Sequence, residues 1–265
     1  MRRFLFAAAA GFALSRTAEL GAQTRDMGNA TPLRVSVTIP VVVVSRDTIT
    51  LGYAVKNIGG ATGEALWLLL VDTPTPPLAV SGPTSDWQTA KLNVGRPSAR
   101  WALDADVLIK PGQSTPPLRV TGVGVTDTVR YWAVPSLAAH PPVGETESES
   151  AVRNDPMKQY ADSGLTIGIV PAPTGSPSDL LYGLRRRLNY SCSHTAWIRG
   201  NGCRELGGRL DQAVGHLLKG DTKQVGDKLD AFIRGLGSRG VRDERVSSQA
   251  YALLLPNAMY ARRRF

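Results

Sequence analysis

Residues 171–178 read Pro171-Ala172-Pro173-Thr174-Gly175-Ser176-Pro177-Ser178, and the hydrophobic pattern has a different period on either side of them. Upstream, Leu33, Val35, Val37 and Ile39 are apolar at every second position, the alternation of a half-buried strand. Downstream, Leu206, Leu210, Ala213, Val214, Leu217 and Leu218 recur three and four apart, the stripe of an amphipathic helix. The Pro/Gly/Ser segment between them has the composition of a semi-rigid linker. The 265 residues therefore divide into a β half at 24–170, the linker at 171–178 and an α half at 179–265.

The β half offers further strands at Thr48–Asn57, Glu64–Asp72, Trp101–Ile109, Leu118–Val123, Val129–Val134 and Leu165–Val170. Turn clusters separate them at Asn57–Gly60, Thr73–Pro77, Lys110–Gly112 and Gly124–Asp127. Short strands in series, with no helical periodicity between them, predict an antiparallel sandwich. Trp67, Trp87, Trp101 and Trp132 all fall in this half and are assigned to its core. Tyr53-Ala54-Val55-Lys56-Asn57 with Gly59-Gly60 resembles the V-x-N-x-G turn of immunoglobulin-like exported domains of bacteria. Lys110-Pro111-Gly112-Gln113-Ser114 resembles their x-P-G-x-S turn. The resemblance implies a scaffold or binding domain and no particular chemistry.

In the α half, Ser178 is placed to cap a helix carrying Leu180, Leu181, Leu184 and Leu188. The second helix stops at Gly220. Asp221 caps the third, with Gln224 three residues on, and Val225, Leu229, Phe232, Ile233 and Leu236 on its apolar face. Gly237 and Gly240 break that helix, and a fourth carries Val246, Ala250, Leu253 and Leu254 until Pro256 kinks or ends it. Four short amphipathic helices bury their faces on each other, so the expectation is a separate small helical domain. Leu210-x-x-Ala213-x-x-x-Leu217-x-x-Gly220-Asp221, Leu229-x-Ala231-Phe232-Ile233 and Ala250-x-x-Leu253 are similar to the helical FIMAH module appended to many secreted bacterial proteins. The likeness runs from about Asp179 to Tyr260. It implies an accessory role and carries no catalytic residues.

The N-terminus starts with Met1-Arg2-Arg3 and an apolar run from Phe4 to Leu14, too short for a bilayer span of roughly 20 residues. With small residues at Gly21 and Ala22, residues 1–23 read as a signal peptide for ordinary secretion. That places the mature chain in the periplasm or outside the cell, soluble or held at a membrane by contacts. In an oxidising compartment Cys192 and Cys203 most simply form one disulfide, with two free thiols or half a metal site as the alternatives.

Charge is divided as unevenly as periodicity. Residues 24–172 hold 12 Lys/Arg against 13 Asp/Glu, and residues 173–265 hold 16 against 8, so the net charge of +9 belongs chiefly to the α half. Arg185-Arg186-Arg187 and Arg262-Arg263-Arg264 are its dense clusters. A one-sided basic domain attracts polyanions, which in an envelope are anionic head groups, lipopolysaccharide, acidic polysaccharide or acidic protein. Tyr260 and Phe265 flank the last arginines as interfacial anchors do. No nucleic-acid-reading motif is present, and export argues against such a partner.

No G-x-S-x-G, H-E-x-x-H, P-loop or G-x-G-x-x-G occurs. Three scattered histidines and two cysteines make a metal centre or bound cofactor unexpected, and Asp104-x-Asp106 lacks the other ligands of a calcium loop. The most site-like cluster is His194 with Ser191, Ser193, Thr195 and Trp197, with Glu205 the nearest carboxylate in sequence. A polar surface loop pinned by its disulfide accounts for it, with interface contact through His194 and Trp197 as a further use. The resulting expectation is a non-enzymatic exported protein, with a sandwich body and a basic helical module docking it to an anionic envelope surface. An accessory subunit of a membrane complex is the alternative, and a hydrolase built on His194 ranks below both.

Overall fold

The computed structural model describes residues 34–59, 68–92, 97–103, 109–134, 162–193, 195–238 and 241–265. The signal peptide at 1–23, Trp67, the Asp104/Asp106 pair and His194 lie outside them. The described strands between Val35 and Val170 form two antiparallel sheets. The first takes β1 (Val35–Ser45), β2 (Thr48–Asn57), β7 (Leu118–Val123) and β4 (Ala79–Ser81), in the order β1-β2-β7-β4. The second takes β5 (Trp87–Leu92), β6 (Ser98–Leu103), β3 (Leu68–Asp72), β8 (Val125–Val134) and β9 (Asp162–Val170), in that order. The first sheet follows the A-B-E-D arrangement of an immunoglobulin-like sandwich and β3-β8-β9 follow C-F-G, with the β5–β6 hairpin added beside C.

The inner face of the first sheet is the alternating set read from the sequence. Val35, Val37 and Ile39 on β1 and Ile49, Leu51, Tyr53 and Val55 on β2 are buried. Tyr53 crosses the core: its ring packs on Trp101 with centroids 5.7 Å apart, and its hydroxyl donates to the Ile167 carbonyl of the other sheet at 2.8 Å. That bond satisfies a phenol that would otherwise be buried at a cost. The two turn motifs meet in space. Asn57 Nδ2 donates to the Ile109 carbonyl at 3.0 Å, and its Oδ1 accepts from Gly59 N at 2.9 Å. Gly112, at φ +81°, donates to the Asn57 carbonyl.

Several strands differ from expectation: β1 runs on to Ser45, β9 starts at Asp162, and β4 falls where no strand was expected. The strand sought at Trp101–Ile109 is β6 at Ser98–Leu103, and its hairpin partner β5 was not anticipated. The turn sought at Gly124–Asp127 is a single-residue corner. Gly124, at φ +139°, passes the chain from β7 in one sheet directly to β8 in the other. Trp87 and Trp101 are buried as assigned, whereas Trp132 is half-buried.

The four helices of the described residues are α1 (Pro177–Ser193), α2 (Gly202–Leu218), α3 (Thr222–Leu236) and α4 (Ser248–Arg262). Helix α1 is capped two residues earlier than expected, by a reciprocal box at Ser176. Ser176 Oγ accepts from Asp179 N, while Asp179 Oδ2 accepts from Ser176 N. The Ser176 hydroxyl also donates to Asp179 Oδ2 at 2.7 Å, and that bond, with the one from Ser176 N, holds the Asp179 carboxyl below its ordinary range. Gly220 at φ +74° ends α2, and Asp221 Oδ1 accepts from Gln224 N to start α3. A two-stranded ribbon, β10 (Gly237–Ser238) with β11 (Val241–Arg242), follows. Val246 precedes α4 and bridges to Ile198. Pro256 lies inside α4, which is buried on almost every side because it sits between the two hydrophobic cores.

Candidate binding surface

Helix α4 joins the two halves, so the linker is not what holds them together. Ala252 and Leu253 belong to the sandwich core, whereas Ala250, Leu254 and Ala258 belong to the helical one. At its N-terminus the Ser248 hydroxyl accepts from Ile39 N at 3.1 Å, and Gln249 Nε2 donates to the Val37 carbonyl at 2.8 Å. These bonds cover the open edge of β1, which would otherwise offer unpaired backbone groups. At its centre, Pro256 has no N–H to give the Ala252 carbonyl four residues back. The Thr126 hydroxyl of β8 donates to that carbonyl instead, at 2.7 Å, and Asn257 Nδ2 donates to the Thr126 carbonyl at 2.7 Å. A proline that breaks a helix bond thus exposes an acceptor which the sandwich uses.

The basic clusters lie along the same seam. Arg187 of α1 pairs with Asp127 of β8 at 2.6 Å, and Arg263 pairs with Asp47 of the β1–β2 turn at 2.9 Å. Within the helical module Arg185 pairs with Asp211 at 3.3 Å and Arg262 with Asp230 at 2.9 Å. In both of these pairs the guanidinium lies over a glycine one turn before the aspartate, Gly207 for Arg185 and Gly226 for Arg262. Arg209 repeats the arrangement over Gly235, donating to the Ala231 carbonyl at 2.9 Å. The Gly-x-x-x-Asp spacing, at 207–211 and again at 226–230, is a sequence signal that a search for surface charge passes over. Arg264 lies over the Tyr260 ring and donates to its hydroxyl at 2.7 Å, while Tyr260 donates to the Pro173 carbonyl of the linker. Phe265 packs against the helical core. Arg186 is exposed and has no ion-pair partner among the described residues.

Cys192 and Cys203 are joined in a disulfide with Cα atoms 5.9 Å apart. The loop it closes carries Trp197, half-buried against both cores and edge-on to Tyr190 at 5.8 Å. Trp197 N donates to the Ser191 carbonyl, and Ser247 N at the start of α4 donates to the Trp197 carbonyl. The disulfide therefore ties α1 to α2 while its loop holds the entry to α4. Ser191 is buried, with its hydroxyl on the Arg187 carbonyl at 3.0 Å. The Glu205 carboxylate binds Arg245 at 3.1 Å, and the same guanidinium holds Asp243 at 3.0 Å and keeps the Asp243 carboxyl below its ordinary range. No group of three or more His, Cys, Asp or Glu side chains among the described residues is placed to hold a metal ion.

Two hollows open along α1, about 350 and 170 Å³ in volume, and share Gly183, Arg186 and Arg187. The larger reaches Asp127 and Thr128 of β8. The smaller reaches Pro173, Asp179, Asn257 and Tyr260. Both strands and helices thus line one trench at the seam.

The class defined by this architecture is an immunoglobulin-like β-sandwich carrying an appended helical module. Residues 193–263, from the end of α1 through α4, match the FIMAH domain family. The chain is also similar to an uncharacterized protein from Nocardia farcinica whose crystal structure was described as revealing an immunoglobulin-like fold. That likeness has 13% identity and a TM-score of 0.31, covering 52% of this chain and 98% of the other. No curated protein matches the chain.

Proposed function

We propose that this is a non-enzymatic exported binding protein, which docks to an anionic envelope surface or an acidic envelope partner through its FIMAH module. An immunoglobulin-like body with a FIMAH domain fits a structural or binding role. The observation that carries the finer reading is the residual charge of the module. After its internal pairs are formed, Arg186, Arg199, Lys219, Lys223 and Arg234 stand exposed with no carboxylate at ion-pair distance among the described residues. The disulfide fits a compartment outside the cytoplasm. No helix among the described residues is long and apolar enough to cross a membrane.

The test is fractionation of the source cells, followed by a high-salt wash of the membranes and sequencing of the protein's N-terminus. Membrane attachment that salt releases, and that is lost in a Lys219→Glu/Lys223→Glu/Arg234→Glu variant keeping the wild-type Tm, is the expected result, because screening weakens exposed charge contacts. Retention until detergent treatment would favour a stable subunit of a membrane complex instead. A protein found wholly in the soluble fraction would overturn both. The hydrolase reading would return only if His194→Ala abolished a turnover while leaving the Tm unchanged.

A further inference from the structure

Arg186 stands apart from the other members of the two arginine triplets. Arg185, Arg187, Arg262 and Arg263 each hold a carboxylate of this chain, and Arg264 lies against Tyr260. Arg186 lines both hollows of the trench with its guanidinium uncommitted to any acid among the described residues. Its neighbour Arg187 holds Asp127 through Nη2 and the Gly183 carbonyl through Nη1, but its Nε is buried with no partner. Gly183, with no side chain, lets the Arg187 guanidinium lie against the helix, where a Cβ would stand 3.3 Å from Nη1. Arg187 is thus fixed in place, and the uncommitted guanidinium of Arg186 beside it is a site for a carboxylate or a phosphate.

The rest of the lining narrows the ligand. Thr128, Asp179 and Tyr260 bring hydroxyl and carboxylate groups, which suit a partner carrying several hydroxyls. Leu180 and Leu253 are 8% and 1% exposed, so the apolar part of the lining is chiefly the rings of Tyr190 and Tyr260, with little aliphatic surface for an acyl chain. A volume of about 350 Å³ lies at the small end of ligand sites, enough for one or two sugar rings. The geometry points to a subsite for a uronic-acid unit of an acidic polysaccharide. Its carboxylate lies on Arg186 beside Arg187, and its hydroxyls are bound by polar groups from β8, α1 and α4. The inference rests on the anion-binding reading above and names the ligand class and the position.

The test uses the full mature chain and isothermal titration with tetragalacturonate, with maltotetraose, tetraglutamate and phosphatidylglycerol vesicles alongside. Saturable binding of tetragalacturonate is expected, with none of maltotetraose, and a tenfold or greater loss of affinity in Arg186→Gln. Because Arg186 is exposed and unpaired, that variant keeps the wild-type Tm. Lys219→Gln, remote in sequence on the α2–α3 turn, leaves the affinity unchanged. Equal binding by Arg186→Gln, or tetraglutamate binding as tightly as tetragalacturonate, overturns the subsite. Binding of the vesicles but not of tetragalacturonate overturns it while leaving the anionic-surface reading intact. Binding of no anionic probe overturns both.

Discussion

Replacing Thr126 by valine removes one hydroxyl from a residue that is fully buried, with almost no change in volume. The hydroxyl donates to the Ala252 carbonyl at 2.7 Å, and Pro256 leaves that carbonyl without the usual helix donor. Asn257 Nδ2 also contacts the Thr126 hydroxyl at 3.2 Å, but keeps two better acceptors at 2.7 Å. The cost is therefore mainly that of one buried acceptor left unsatisfied, about 1–3 kcal/mol. For a chain of this size each kcal/mol moves the Tm by about 2–4 °C, so a fall of roughly 4–8 °C is expected for a midrange loss. The mechanism makes a second demand. Pro256→Ala returns an N–H to the Ala252 carbonyl, so Thr126→Val should cost much less in the Pro256→Ala background. A coupling of about 1–2 kcal/mol is expected from a double-mutant cycle in urea, read by far-UV circular dichroism with unchanged m-values. Additive effects of the two substitutions, or a Thr126→Val variant within about 0.5 kcal/mol of wild type, would refute the claim that the sandwich supplies what the proline removes.

Gly124→Ala should be far more damaging than its surface position between two strands suggests. A Cβ there would stand 2.0 Å from the Val170 carbonyl oxygen at a φ of +139°, so a loss of about 3 kcal/mol or more is expected in the same denaturation assay. Cys192→Ser/Cys203→Ser opens a loop with a sequence separation of 11, which corresponds to about 3 kcal/mol in the chain-entropy view. The double variant should melt roughly 6–12 °C lower, and an unchanged Tm would show that the loop is held by Trp197 alone. Burial raises Tyr53 and Tyr251, and burial with the nearby Asp162 charge pushes Tyr131 up to about 12. Groups with raised folded-state values contribute stability that is full below the unfolded phenol value of about 10 and lost as pH climbs through the folded value. Stability should thus fall between about pH 10 and 12, and absorbance at 295 nm should show these phenols ionising only as the protein unfolds. Normal titration of Tyr53 and Tyr131 in the folded state would count against their burial.

Strands buried on one face were legible. Val35, Val37 and Ile39, and then Ile49, Leu51, Tyr53 and Val55, alternate because sheet one meets the core on one side only. The second sheet was harder for a physical reason. Leu69, Leu70 and Val71 are all fully buried, so β3 is covered on both faces and has no period to detect. Arg100 is 1% exposed in the middle of β6, where an arginine in a sequence argues against a core strand. The helices showed through their stripes and stops, Gly220 and Asp221 above all. Helix α4 showed least well, because Tyr251, Ala252, Leu253, Leu254 and Leu255 are buried in succession and leave no polar face.

Thr126 and Asp127 illustrate why the joint itself could not be read locally. Both are turn-forming residues close after Gly124, and local chemistry assigns them to a loop. They are instead the second and third residues of β8, and each serves a helix far along the chain: Thr126 takes the Ala252 carbonyl, and Asp127 takes Arg187. The same non-locality governs the charge. A count of 16 cations against 8 anions in residues 173–265 correctly marks the FIMAH module as basic, but not which cations face outward. The densest arginine triplets are the poorest guide, since four of their six members fasten helices to one another or to the sandwich. Reversing whole triplets would therefore disturb these joints as well as any binding. An informative charge experiment must act on the cations left over, which is why Arg186, and the set Lys219, Lys223 and Arg234, separate a trench-specific contact from a general electrostatic one.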